Sequence, residues 1–558
     1  MISANEEVIR AMIDGAGEVD DLPTKPVSKP RILVDPANPD STVAALRDIL
    51  MTSDGLYDRG LPVRLARDQT TGATRIQPLT PDGLIRVAHE KCRPFRLKTF
   101  HGVTEEVDCK FPRDLATMYL QWQGSWNLPV LNGVASSPML SADGQIRSAE
   151  GYDPVSGMWC ENVPDVADLV PAVPTDEQAR AALLEVRKFF STFSFADAEM
   201  FTDEKTGVAH VRLDQPAGVD ESGHLCALLT AVCRPSLHLA PGHLIKAPSI
   251  SGAGSGKGLL VRTHCQIAFG HQPHAVTGGV KSDELEKRLA SELMGGSSVM
   301  FLDNLNRAGF RSDLLASAIT ERPARIRVLG RSEMLPLNAT AFIAITGNGL
   351  TVSEDLIRRF ITTELDAKTE DPEARRFTED ILQAAKDRRI EMLAAILTIW
   401  RWGRQHRALP KGGALGSFSQ WSEWVRDPLL ALGCKDPAER IREAKERDGY
   451  RQEIGQIFTI WWSKHGDRPV AVKNLGEDVI QVLDPQSRGR QFLQAAVDKL
   501  TGTRMAGFVM HRQPPAGRWG VATYALKKTS DSKEHGDHRG HRPTIGTEND
   551  EWGWKQTL

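Results

Sequence analysis

Residues 243–260 read His-Leu-Ile-Lys-Ala-Pro-Ser-Ile-Ser-Gly-Ala-Gly-Ser-Gly-Lys-Gly-Leu-Leu. An apolar strand runs into a stretch of small residues, then Lys257, then an apolar helix start. That order wraps backbone N–H groups around a polyphosphate. Gly252, Gly254 and Gly256 let the backbone approach oxygen atoms with no Cβ in the way, and the helix that follows offers its positive N-terminal end. Lys257 would neutralise the β- and γ-phosphates. The candidate cradle is therefore Gly252, Ala253, Gly254, Ser255, Gly256, Lys257 and Gly258. Two positions depart from the commonest pattern: Ser251 opens the loop in place of glycine, and Gly258 stands where Ser or Thr would give Mg²⁺ a hydroxyl.

Two further strands end in polar residues. Ser-Val-Met-Phe-Leu-Asp-Asn at 298–304 closes on Asp303, a carboxylate that could hold Mg²⁺ beside the γ-phosphate. Thr-Ala-Phe-Ile-Ala-Ile-Thr-Gly-Asn at 340–348 closes on Asn348, whose amide could bond the attacking water or the γ-phosphate. Asn304 can orient water but cannot accept a proton. Glu284 or Glu286 on the preceding helix could supply the missing base, although i,i+4 charge pairing is the plainer use of that helix. Arg358 and Arg359 end a short helix, either as a solvated face or as a finger reaching a neighbouring subunit's nucleotide. Between the two strands, residues 323–337 alternate on both sides of Gly-Arg-Ser and read as a β-hairpin. It carries Arg325 and Arg327 on one arm and Arg331 at the tip, where such side chains can simply face solvent.

Around these motifs, 558 residues suffice for several domains, and 41% hydrophobic with 25% charged residues excludes a disordered or fibrous protein. A net charge of −3 excludes a globally basic nucleic-acid binder, so any such contact is local. No apolar run approaches the ~20 residues of a bilayer span, and no signal-peptide core opens the chain, so a cytoplasmic location is expected with no membrane partner. The seven cysteines lack zinc-ligand spacing and read as free thiols.

The spacing of elements predicts a polar lead-in at 1–30, a small α+β domain at 31–170, an α/β core with a parallel sheet at 171–370 and a helical region at 371–450. A further domain is expected at 451–528, followed by a disordered tail at 529–558. Residues 151–159, Gly-Tyr-Asp-Pro-Val-Ser-Gly-Met-Trp, read as a turn between strands. Trp400, Trp402, Trp421 and Trp424 read as core residues. Residues 451–528 carry twelve Lys/Arg against six Asp/Glu and show three helices and then two strands, the order of a winged helix. Arg488, Arg490 and Lys499 would face phosphate from its third helix, with Arg512 and Arg518 in the wing.

Loop, acid, amide and arginine pair, in this order over about residues 240–400, resemble the AAA+ ATPases. By that resemblance Lys257 and the glycines match Walker A, Asp303 and Asn304 match Walker B, Asn348 matches sensor 1, and Arg358 or Arg359 the finger. With the 151–157 turn, the hairpin and the closing wing, the chain resembles the replication helicases of prophages and integrative elements, akin to superfamily 3 and minichromosome-maintenance proteins. The resemblance implies a P-loop core with a helical lid, ATP and Mg²⁺ as cofactors, and a hexameric homo-oligomer with ATP between subunits. It also implies single-stranded DNA threaded past the hairpin, with Arg325, Arg327 and Arg331 on its phosphates, duplex DNA at the winged helix, and ATP-driven unwinding for a mobile genetic element. A nucleotide-switched regulatory DNA-binding ATPase is the alternative, and an ATPase that remodels a protein a third. No primase acid triad or zinc ribbon is recognisable at 31–170.

Overall fold

The computed structural model describes residues 29–67, 74–249, 252–277, 282–305, 309–327, 334–406, 409–446, 449–515 and 520–529. Arg331 and Arg518 lie outside the described residues. The chain divides into two compact units, residues 1–442 and 443–558.

Val299–Asp303 and Phe342–Asn348 are apolar without alternation and buried up to their polar tips. Strands with no polar face need cover on both sides, which a parallel sheet flanked by helices supplies. Both sit inside a five-stranded parallel sheet: β1 (Gly242–Ala247), β2 (Ala275–Thr277), β3 (Val299–Asp303), β4 (Phe342–Asn348) and β5 (Phe360–Glu364). The spatial order is β2-β3-β4-β1-β5. Thus β4 lies between the strand that feeds the glycine loop and the strand that ends in Asp303. The register pairs Ala247 with Asn348 across β1 and β4, and Leu302 with Ile345 across β3 and β4.

Two helices pack behind this sheet, α1 (Val219–Cys233) and α2 (Lys257–Phe269), the latter continuing the glycine loop. Every residue of α1 is buried, including Asp220, Glu221 and His224. A helix whose polar residues are all inside needs partners for each of them. Glu221 accepts from Arg187 at 2.7 and 3.0 Å, Asp220 accepts from Arg440 and from the Glu364 N–H, and His224 Nδ1 lies 2.8 Å from His264 Nε2 on α2. These polar positions hide the start of the helix from apolar spacing, which picks up only from Leu225 onward.

The N-terminal part of the same unit has its own core around Ile32, Leu46, Phe111, Tyr119 and Trp126. Helices Pro39–Leu50, Pro81–Lys91 and Arg113–Gln121 pack there with the strands Arg31–Leu33, Arg93–Phe100 and Val103–Asp108. Strands Gly151–Asp153 and Met158–Cys160 pair antiparallel across the turn at 154–157. Gly157 in that turn has φ 66°, and a Cβ there would press on the Asn132 amide nitrogen at 2.8 Å. Asn132 in turn donates to Ser156 O at 2.7 Å and accepts from Asn338 Nδ2 at 2.8 Å, just ahead of β4. The turn is thereby tied to the sheet.

Helix Arg389–Gln405 carries Trp400 and Trp402, and with Trp421 and Trp424 they are buried. Arg389 links three regions, donating to the carbonyls of Ser136 (2.7 Å), Ile267 (3.0 Å) and Ala268 (3.1 Å). All seven thiols are free. Among the described residues no helix is long and apolar enough to cross a membrane.

The second unit contains helices Gly449–His465, Glu477–Leu483 and Arg490–Leu500, then strands Phe508–Gln513 and Thr523–Lys528 paired antiparallel. Short strands Val470–Ala471 and Arg504–Met505 extend the sheet on either side. Phe458, Trp461, Val497 and Tyr524 form its core. Its third helix begins at Arg490 because Gly489 has φ 101°, outside helical backbone, which leaves Arg488 on the preceding turn.

Burial holds the pKa of His243 and His264 down to about 3, and that of His224 well below its ordinary value. In unfolded chain these rings titrate near 6.5, so between about 6.5 and 3 the unfolded state binds protons that the folded state refuses. Stability present above pH 6.5 is therefore lost as pH falls towards 3. Asp220, raised by burial to about 6, opposes this over a narrower window. Neither ring nitrogen of His243 has a hydrogen-bond partner among the described residues, a cost of about 1–3 kcal/mol. His243→Leu is expected to raise the thermal midpoint and weaken its fall between pH 6.5 and 4, read by calorimetry across that range. A lower midpoint at pH 7 would contradict this.

Candidate nucleotide site

Three strand tips meet on one edge of the sheet, where parallel strands of an open α/β fold present ligands. From β1 comes the glycine loop, with Gly254 at φ 67° and Gly256 at φ 90°. A Cβ at Gly252 would collide with the Pro248 carbonyl and sit 2.9 Å from Asn348 Oδ1, so the loop's first glycine lies against the tip of β4. A Cβ at Gly258 would lie 3.5 Å from both carboxylate oxygens of Asp303, so the start of α2 faces the tip of β3. Lys257, Asp303 and Asn348 are thus brought to one place, as are Ala253 and Ser255 on the loop between them.

Lys257 Nζ donates to Gly252 O at 2.6 Å and to Ser255 Oγ at 3.0 Å. Burial lowers its pKa, and the nearby Asp303 carboxylate pulls the other way. Asp303 accepts from Thr346 Oγ1 at 2.6 Å and lies 3.6 Å from Arg262 Nη2. The same Thr346 oxygen accepts from the Asn304 N–H at 3.0 Å, and Asn304 adopts φ 59°. A left-handed Asn directly after a buried strand is a strained turn of the kind found at functional sites. Neither Thr346 nor Arg262 stands out in the sequence. The signal for Thr346 is its place two residues before Asn348, next to the Ile345 that pairs with Leu302.

The donors fit a triphosphate: two positive-φ glycines, a helix N-terminus and a cation at one sheet edge. For Mg²⁺ the fit is narrower. Asp303 is one carboxylate, Gly258 adds no hydroxyl, and among the described residues there is no cluster of three or more His, Cys, Asp or Glu. Magnesium tolerates such a sparse protein shell when phosphates and water complete it.

Other candidates stand apart from this edge. Glu284 pairs with Lys287 and Arg288 at 3.9 and 3.6 Å, and Glu286 accepts from Ser312 Oγ at 2.5 Å, so both are engaged elsewhere. Arg358 and Arg359 both donate to Asp355 on the short helix Glu354–Ile357 that they follow. The hairpin pairs Ala324–Arg327 with Met334–Leu337, and Ile326 and Leu335 point inward. Its exposed face carries Arg325 and Arg327 beside Pro336 and Met334.

In the C-terminal unit, Arg488 bonds Asp484 at 3.3 Å and lies 3.5 Å from the Phe492 ring centre. Arg512 lies 3.5 Å from Asp498. Arg490 and Lys499 do not share a face of their helix: at 3.6 residues per turn they stand half a turn apart. Exposed positions along it are Arg490, Gln491, Ala495, Asp498 and Lys499.

Beside Gly254 and Gly256 opens a cavity of about 590 Å³, also lined by Phe193, Phe201, Arg375 and Phe377. Sequence periodicity does not point to it, because its walls come from four separate segments.

No family model matches the chain, and no curated protein matches it. Among solved structures, the apo A form of the NrS-1 C-terminal region is similar over 87% of this chain and 100% of that one, at TM-score 0.36 and 12% identity. SCCmec type IV Cch, described as an active helicase, is similar over 86% and 98%, at TM-score 0.26 and 11% identity. Likenesses at these scores carry no functional weight.

A hydrogen bond to a charged group contributes about 1.5–3 kcal/mol. Thr346→Val is therefore expected to free Asp303 and lower the thermal midpoint by a few degrees, whereas Thr346→Ser retains the wild-type value. Equal midpoints for the Val and Ser variants in differential scanning fluorimetry would contradict the bond's role.

Proposed function

We propose that the chain is an ATP-driven DNA helicase or translocase of a mobile genetic element, built on an AAA+ core and working as a hexameric ring. The observation that carries this reading is the placement of β4 between β1 and β3, which gathers Lys257, Asp303 and Asn348 at one sheet edge. In this reading Lys257 leaves the Gly252 carbonyl to meet the β- and γ-phosphates. The loop N–H groups and the α2 N-terminus hold the remaining phosphate oxygens. Asp303 would hold Mg²⁺ that arrives with the nucleotide, and that ion would neutralise charge on the transferring phosphoryl group. Asn304 and Asn348 position water with their amides, neither taking its proton. Arg358 or Arg359, released from Asp355, completes the site of the next subunit.

Mechanical coupling follows from chain connectivity. The arm Met334–Leu337 precedes β4 by four residues, so a displacement at Asn348 passes down a rigid strand to Arg325 and Arg327. Their guanidinium groups bind phosphates, which gives affinity without sequence choice. In the C-terminal unit three helices followed by an antiparallel hairpin support the winged-helix reading. Gln491 and Lys499, exposed on one side of its third helix, would meet duplex DNA, and Arg490, half a turn round from Lys499, would not. A second reading, a nucleotide-switched regulator that binds DNA without unwinding it, is favoured by one observation: Asn304 offers no proton acceptor and Asp303 is already engaged by Thr346 and Arg262.

Lys257→Ala is expected to abolish ATP turnover and strand displacement on a forked duplex, while duplex binding by residues 451–528 persists. Normal turnover in that variant would sink the site assignment. Wild-type protein that hydrolyses ATP and binds the fork without displacing a strand would favour the regulator.

A further inference from the structure

We infer that the cavity beside Gly254 and Gly256 receives the nucleoside of the bound nucleotide, with its base stacked against Phe201 and Phe377. The inference rests on the reading that residues 252–257 cradle the triphosphate. Gly254 and Gly256 belong to both places: they form part of the phosphate loop and part of the cavity wall. A ligand whose phosphates follow the loop must direct its remaining atoms into this space or into bulk water. At about 590 Å³ the cavity falls within the usual range of small-molecule sites.

Its walls are apolar where a base would lie. Phe201 is 42% and Phe377 52% exposed, and Leu259, on the first turn of α2, is 36% exposed. Large apolar side chains left open around one cavity mark a surface meant to be covered. Each ring is braced by a cation: Arg212 Cζ lies 5.9 Å from the centre of Phe201, and Arg375 Cζ lies 5.3 Å from that of Phe377. Such contacts hold a ring in place without burying it. Phe193 forms the floor, its Cε1 3.4 Å from where a Cβ of Gly256 would stand.

Neither stacking residue belongs to the parallel sheet. Phe201 comes from the small hairpin of Met200–Thr202 and Ala209–Val211, and Phe377 from the segment that follows β5. The two meet at the rim, where a Cβ on Gly207 would lie 3.6 Å from Arg376 Nη1. Arg375 is fixed in turn by bonds to Ser194 Oγ at 3.1 Å and Pro372 O at 3.2 Å. Polar side chains that could reach a base edge also line the cavity, among them Thr192, His210, Thr378 and Glu379. Asp203, on the wall, has one carboxylate oxygen spent on the N–H groups of Lys205 and Thr206 in its own turn. Stacking on the ring faces favours a purine, which has more area to stack, while these polar side chains are placed to contact its edge.

The test compares ATP with inorganic tripolyphosphate, which has the phosphates and no nucleoside, on the full-length chain by calorimetric titration. Phe201→Leu and Phe377→Leu keep the apolar bulk and remove the ring face. Each is expected to weaken ATP binding by about 5- to 150-fold, the usual loss when a stacking partner goes, and to leave tripolyphosphate binding unchanged. Lys257→Ala should weaken both ligands. If the Leu variants bind ATP as the wild type does, or lose both ligands alike, the nucleoside pocket is wrong. If Lys257→Ala leaves both ligands unaffected, the phosphate loop itself is wrong and the inference goes with it.

Discussion

The hydrogen-bonded register of β4 against both of its neighbours is the constraint on which the site depends. Lys257 follows β1 and Asp303 ends β3, and these strands never touch. Only β4, paired with both, fixes the separation between the cation and the carboxylate. Thr346 makes that constraint chemical, since its hydroxyl bonds Asp303 from β4 and receives the Asn304 N–H. A slip of one residue in this register would exchange the faces of the strand and remove that hydroxyl from the acid.

The sheet is in turn held from outside. Asn132 ties the turn at 153–157 to Asn338, and buried Arg59 donates to Leu131 O at 3.0 Å and Leu293 O at 2.9 Å. Arg389 joins the C-terminal end of α2 to the carbonyl of Ser136. Buried or half-buried arginines that donate to several backbone carbonyls are costly unless each bond is made, so they specify one relative position of the segments they join. The N-terminal part of this unit thus bears on the ground from which the hairpin and β4 project.

Much of this is legible in the sequence because apolar strands with polar tips are local signals. The glycine loop, Asp303, Asn348 and the hairpin arm carrying Arg325 and Arg327 can each be read from a few consecutive residues. Thr346 cannot, because its contact with Asp303 spans 43 residues of chain. The start of α1 is hidden since Asp220, Glu221 and His224 look like surface residues until Arg440, Arg187 and His264 are placed beside them. The wall of Phe201 and Phe377 escapes for the same reason, being assembled from segments far apart in sequence. For the N-terminal part, elements can be recognised but no chemistry, and the structure gives those residues packing and bracing contacts.

The most direct measurement of the central claim is a crystal or cryo-EM structure of the full chain with Mg²⁺ and a non-hydrolysable ATP analogue. The account requires the γ-phosphate within hydrogen-bonding reach of both Lys257 Nζ and Asn348, with Asp303 facing the metal. Phosphates bound at any other edge of the sheet, with Lys257 still on the Gly252 carbonyl, would contradict it.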